Sequence, residues 1–199
     1  MQIECSHTRN IQNETMPQSA WTHHGAPLDE VKREVELSAG VNAVFLDFLD
    51  TAAPDAQYLV CDATHADASI VACSQAWLNV CGYRPEHVLG RPNCRFLQGP
   101  DTDYRSIAEM ASSINAGHVC NASIVNYHRD GSKFVNKFVM GPLVDAAGAP
   151  RFYVSIHGTP SRELDWSLAR SPVPCYRVSD LGSPEGSPAS LQRQVRSSA

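Results

Sequence analysis

Between Gly90 and Asp103 the chain reads Gly-Arg-Pro-Asn-Cys-Arg-Phe-Leu-Gln-Gly-Pro-Asp-Thr-Asp, and no other segment constrains its fold and chemistry as strongly. Six residues there hold a cysteine, two amides and a guanidinium. Read as a short helix entered after Pro92, the segment puts Cys94 and Gln98 on one face, because residues four apart are neighbours on a helix. Arg95 then sits about a quarter-turn away. Such a helix forms one wall of a pocket, offering a thiol and a carboxamide with a cation near the mouth.

The rest of the composition narrows the classes of function. A chain of 199 residues holds one ordinary domain plus tails. Its net charge of −5, without a basic block, argues against a nucleic-acid surface. The longest apolar runs are too short to span a bilayer. The N-terminus lacks a secretory pattern, and Gln2 stands where myristoylation needs glycine. The 7 cysteines form no CxxC pair and no zinc-ligand spacing. No metal site is therefore expected, and reduced thiols suit the cytosol or the nucleus.

Along the chain, residues 1–27 are polar and unpatterned and are expected to be disordered. Residues 28–54 form a helical extension. Leu28, Val31 and Val35 recur at helical spacing, and Ser38 is a candidate cap for a second helix. In that helix Val41, Val44, Phe45, Phe48 and Leu49 make an apolar stripe, with Asn42, Asp47 and Asp50 off it. This stripe suits either packing on a sheet or a dimer surface. Residues 55–163 are the folded domain and 164–199 a disordered Ser/Pro-rich tail.

Within the domain, strands are predicted at Tyr58–Cys61, Ile70–Cys73, Val119–Tyr127, Phe134–Val144 and Arg151–His157. Asp130-Gly131 marks a hairpin. Helices are predicted around Trp77–Val80 and after Asp101 or Thr102, either of which can cap, with Ile107, Met110, Ala111 and Ile114 facing inward. The order implies an α+β fold, a five-stranded antiparallel sheet with helices on one face. Side chains alternate across a strand, so Phe134, Asn136, Phe138 and Met140 share a face, as do Ala122, Ile124 and Asn126, and Tyr153, Ser155 and His157. Each hairpin strand thus carries one asparagine among apolar residues. A buried unpaired amide costs about 1–3 kcal/mol, so both need partners. A flat heteroaromatic ring with polar edges satisfies them.

The run Asn93-Cys94-Arg95-Phe96-Leu97-Gln98 resembles the cysteine motif of LOV (light-oxygen-voltage) domains, the flavin-binding blue-light sensors of the PAS superfamily. The resemblance extends from about Tyr58 to Thr159. It implies the PAS/LOV fold and a flavin cofactor. It implies that Cys94 forms a reversible light-driven bond to C4a of the ring, that Asn126, Asn136 and Gln98 hydrogen-bond the ring, and that Asn93 and Arg95 hold the ribityl chain and phosphate. Leu59, Cys61, Leu97, Ile124, Phe138, Met140 and Tyr153 are then expected to line the site.

Three positions depart from the family pattern. Pro92 is an extra residue between Arg91 and Asn93. Ala111 stands where a second phosphate-binding arginine is usual, and Arg105 reaches the phosphate only by another route. FMN is therefore the expected pigment, with FAD and riboflavin left open. His157 replaces a glutamine that relays the signal in the family. An imidazole titrates near neutrality when unperturbed, so His157 is expected to sense the photoproduct and to catalyse its decay in a pH-dependent way.

The leading expectation is a blue-light photoreceptor without an attached enzyme, acting on a protein partner or as a homodimer through residues 28–52. The other reading is a light-insensitive PAS module that binds a ligand or proteins. A thiol enzyme is disfavoured, because the motif offers amides and an arginine in place of a base beside the sulfur.

Overall fold

The computed structural model describes residues 23–37, 40–158, 164 and 175–177. Its centre is one antiparallel sheet of β2 (Gln57–Asp62), β3 (Ile70–Ser74), β4 (Val119–Tyr127), β5 (Lys133–Val144) and β6 (Pro150–His157). Two three-residue edge strands extend it, β1 (His23–Gly25) beside β3 and β7 (Cys175–Arg177) parallel to β4, in the order β1-β3-β2-β6-β5-β4-β7. The sheet thus has seven strands where five were expected, and both additions fall in segments expected to be disordered. Apart from residues 26, 27 and 164, the rest of those segments, and the candidate cap Ser38, lie outside the described residues.

Helices cover both faces of the sheet, the expected layer on one and the N-terminal helical extension on the other. On one face lie α1 (Leu28–Arg33) and α2 (Gly40–Thr51). Val44, Phe45, Phe48 and Leu49 of α2 pack with Val139, Val154 and Ile156 in one core cluster. The Phe45 ring lies so close to β5 that a Cβ on Gly141 would come within 2.6 Å of it. The apolar stripe is therefore spent on the chain's own sheet, not on a dimer surface. Asn42, which helical spacing places off that stripe, is fully buried. Its Nδ2 donates to the Glu36 and Val144 carbonyls at 2.7 Å each, and its Oδ1 accepts from Val144 N at 2.8 Å.

The opposite face carries α3 (Gln75–Cys81), the cysteine segment and α4 (Tyr104–Asn115). Ser74 caps α3 by accepting from Trp77 N. The cap of α4 is Asp103, one residue beyond the expected pair. The other two candidates are engaged elsewhere: Asp101 pairs with Lys133, and Thr102 donates to the Val125 carbonyl. The hairpin register places Ala122 opposite Phe138, Ile124 opposite Asn136 and Asn126 opposite Phe134, so the faces expected from alternation do coincide.

Candidate functional site

A cavity of about 590 Å³ lies between this face of the sheet, α4, the cysteine segment and the β2–β3 loop. Its size falls within the range of small-molecule sites. Its sheet wall is Ile124 and Asn126 of β4, Asn136, Phe138 and Met140 of β5, and Tyr153, Ser155 and His157 of β6. Period two explains this set, because paired residues on neighbouring antiparallel strands point to the same side.

Opposite the sheet, Asn93–Leu97 folds as a 3₁₀ turn, tighter than the α-helix expected. Cys94, Arg95 and Gln98 still reach the cavity together. Hydrogen bonds fasten this turn at both ends. Ile70 N donates to the Arg91 carbonyl at 2.9 Å, and Pro92 bridges to Ser69. The extra proline is thus absorbed in the entering loop. At the far end a Cβ on Gly99 would sit 2.3 Å from the Tyr127 ring, whose hydroxyl accepts from Asp101 N at 3.0 Å.

Leu59, Cys61 and Leu97 do not line the cavity. They form a buried cluster with Ile70, Cys73, Trp77 and Cys81, against which Cys94 and Phe96 pack. Leu59 and Cys61 back the wall, with Leu97 of the turn itself pointing into their cluster. Arg105 is also absent from the lining. Its Nε donates to Glu109 one helical turn on, at 3.0 Å, which holds it on the exposed side of α4. Asn93 opens the turn, and its side chain is outside the described set. The exposed Arg95 lines the cavity together with the exposed His65 and Asp67 of the β2–β3 loop, a segment that carries no recognisable sequence signal.

The electrostatics of the wall are those of neutral groups. Burial pushes the Cys94 thiol well above its usual range, with Cys61, Cys81 and Cys73 acting in the same direction. At neutral pH the sulfur therefore keeps its proton, unlike the thiolate of a nucleophilic enzyme. Burial likewise pushes His157 down to about 3. This overturns the expectation of a histidine titrating near neutrality; the ring is neutral there.

Four polar side chains on this wall are joined in one chain. Ser155 Oγ lies 3.0 Å from His157 Nε2, and His157 Nδ1 lies 2.9 Å from Asn136 Oδ1. Asn136 Nδ2 donates to Asn126 Oδ1 at 2.8 Å, and Asn126 Nδ2 to the Val125 carbonyl at 3.2 Å. Alternation puts Ser155 on the correct face, but its bond to His157 has no signal in the sequence. The donor set suits a planar heterocycle with polar edges. Side-chain amides can turn donor or acceptor toward a ring edge, apolar residues cover its faces, and a thiol stands on the opposite wall.

No helix among the described residues is long and apolar enough to cross a membrane. The profile of the PAS domain family matches residues 57–157. Over 91 residues the chain is 38% identical to phototropin-2 of Oryza sativa subsp. japonica, covering 46% of this chain and 10% of that protein. A blue-light photoreceptor of Listeria monocytogenes is 32% identical over 110 residues, 55% of this chain and 43% of that one. The chain therefore spans less than half the length of these relatives. The dark structure of the Aureochrome1 LOV photoreceptor superposes with a TM-score of 0.53 at 34% identity, covering 57% of this chain and 80% of that one.

Proposed function

The chain belongs to the PAS domain family, in its LOV branch, and from that premise we propose that it is a blue-light photoreceptor whose Cys94 bonds reversibly to a flavin held in this cavity. The observation that supports the reading is the joint placement of Cys94, Gln98, Asn126 and Asn136 around one cavity that also carries the apolar Ile124, Phe138 and Met140. A bound flavin supplies blue absorption and, once excited, a ring carbon that a thiol can bond.

The chain's own groups do the rest. The walls hold the thiol at short range, which raises its effective concentration steeply. Burial keeps the Cys94 proton on sulfur until excitation calls for it. The amides of Gln98, Asn126 and Asn136 orient the polar edge, and Ile124, Phe138, Met140 and Tyr153 cover the ring faces. Arg95 supplies the permanent positive charge at the mouth, which favours FMN over riboflavin. Without a second guanidinium beside it the preference is modest. The cycle is a switch without turnover, so the chain acts through a protein partner or a second copy rather than as an enzyme.

Absorption of the purified protein before and after blue illumination tests the reading. A yellow protein that bleaches and recovers in darkness is expected, with bleaching by this route lost in Cys94→Ala. Extraction and chromatography of the pigment then separate FMN from FAD and riboflavin. A Cys94→Ala protein that bleached and recovered like the parent would sink the assignment. A flavin-binding protein insensitive to light would favour the ligand-binding PAS module instead.

A further inference from the structure

The polarity of the side-chain relay is determined at one end. A carbonyl oxygen only accepts, so Asn126 turns Nδ2 to Val125 O, 3.2 Å away, and Oδ1 to Asn136. Asn136 must then donate through Nδ2, which leaves its Oδ1 facing His157 Nδ1 at 2.9 Å. An amide oxygen also only accepts, so Nδ1 carries the ring proton. Neutral imidazole has one such proton, and Nε2 is therefore an acceptor. The group 3.0 Å from it is the Ser155 hydroxyl, which donates. One backbone carbonyl on β4 thus dictates the tautomer of a histidine two strands away. The low basicity of the buried ring agrees with its being neutral.

We propose that Ser155 is a positioning residue for His157: with Asn136 it holds the ring as the Nδ1–H tautomer and keeps Nε2 as the transient acceptor for the proton that would leave flavin N5 as the Cys94 sulfur–C4a bond breaks, a proton that then returns to the Cys94 sulfur. When Nε2 takes that proton it becomes a donor, and the Ser155 hydroxyl turns to accept from it without movement of heavy atoms. The Nδ1–H bond to Asn136 persists. Both charge states of the ring are then hydrogen-bonded, which a buried imidazolium requires. Alanine at 155 can serve neither state. The role of the proton rests on the photoreceptor reading, whereas the tautomer does not.

The test has two arms. Imidazole ¹⁵N NMR of the full-length chain, without and with FMN, reads the tautomer, and the His157 signals are identified by their loss in His157→Gln. The Nδ1–H form is expected in both states. In the flavin-loaded protein, Ser155→Ala should slow dark recovery about tenfold, less than the roughly hundredfold or more expected for loss of the proton-transfer group itself. Ser155→Thr, which keeps the hydroxyl, and added imidazole should each restore it. An Nε2–H ring in the parent, or a Ser155→Ala protein recovering within about twofold of the parent rate, overturns the proposal. A chain that never bleaches sinks the photoreceptor reading, and the NMR arm still decides the tautomer.

Discussion

Thr102 and Asn126 donate to the same oxygen, the carbonyl of Val125, at 2.7 and 3.2 Å. The first closes the cysteine segment and the second ends the relay that begins at Ser155, so the two walls of the cavity share an anchor. Thr102 Oγ1 also accepts from Gly99 N at 3.0 Å. Thr102→Val keeps the shape and deletes both bonds. It should cost about 1–2 kcal/mol in urea unfolding, and Asn126→Ala in the same background should show non-additivity.

Gly99 is required by a steric contact. A Cβ there would lie 2.3–2.8 Å from three carbons of the Tyr127 ring. Gly99→Ala should destabilise the domain by about 1–3 kcal/mol through overpacking. Pairing it with Tyr127→Leu, which removes the ring, should recover part of that loss. An alanine variant as stable as the parent would contradict the packing.

Asn42 fastens α2 to the end of β5. Asn42→Leu removes the partner of the half-buried Val144 N–H and the Asn42 donor to the Glu36 carbonyl. A loss of about 2–4 kcal/mol is expected. Limited proteolysis should then cut within residues 28–56 well before the sheet is attacked. Uniform protection in the variant would refute the role.

His157 makes stability depend on pH in a defined window. Its folded pKa, about 3, lies below the ordinary histidine value of 6.5. The unfolded chain therefore binds a proton that the native chain refuses, and the contribution is complete above pH 6.5. It declines by about 1.4 kcal/mol per unit as pH falls toward 3. Between pH 6.5 and 5 the parent should lose about 2 kcal/mol from this source. His157→Gln should flatten that part of the profile, which chemical denaturation at several pH values measures.

How much of this was readable in advance depends on the range of the physics involved. Strand alternation is a property of the local backbone, so the cavity-facing sets on β4, β5 and β6 followed from Asn126, Asn136 and His157 and their neighbours two residues away. The hairpin followed from Asp130-Gly131, and a short helical segment at the cysteine from Pro92 and the spacing after it, though not its 3₁₀ form. The position of Arg105 was not legible, because its ion pair with Glu109, one turn further on α4, forms only once the helix does.

Asn42 looked like a solvent-facing residue because helical spacing reports only its own helix, and its partner Val144 is 102 residues away. Ser155 likewise sat on the correct face without a visible task, since its donor role is inherited from a carbonyl on another strand. Local periodicity told which side of each strand faces the cavity, and the resemblance of Asn93–Gln98 to the LOV cysteine motif pointed to Cys94. The protonation state of His157, the double-sided covering of the sheet and the shared anchor at Val125 arose only on folding, because burial and hydrogen-bond polarity depend on groups that the chain order keeps far apart.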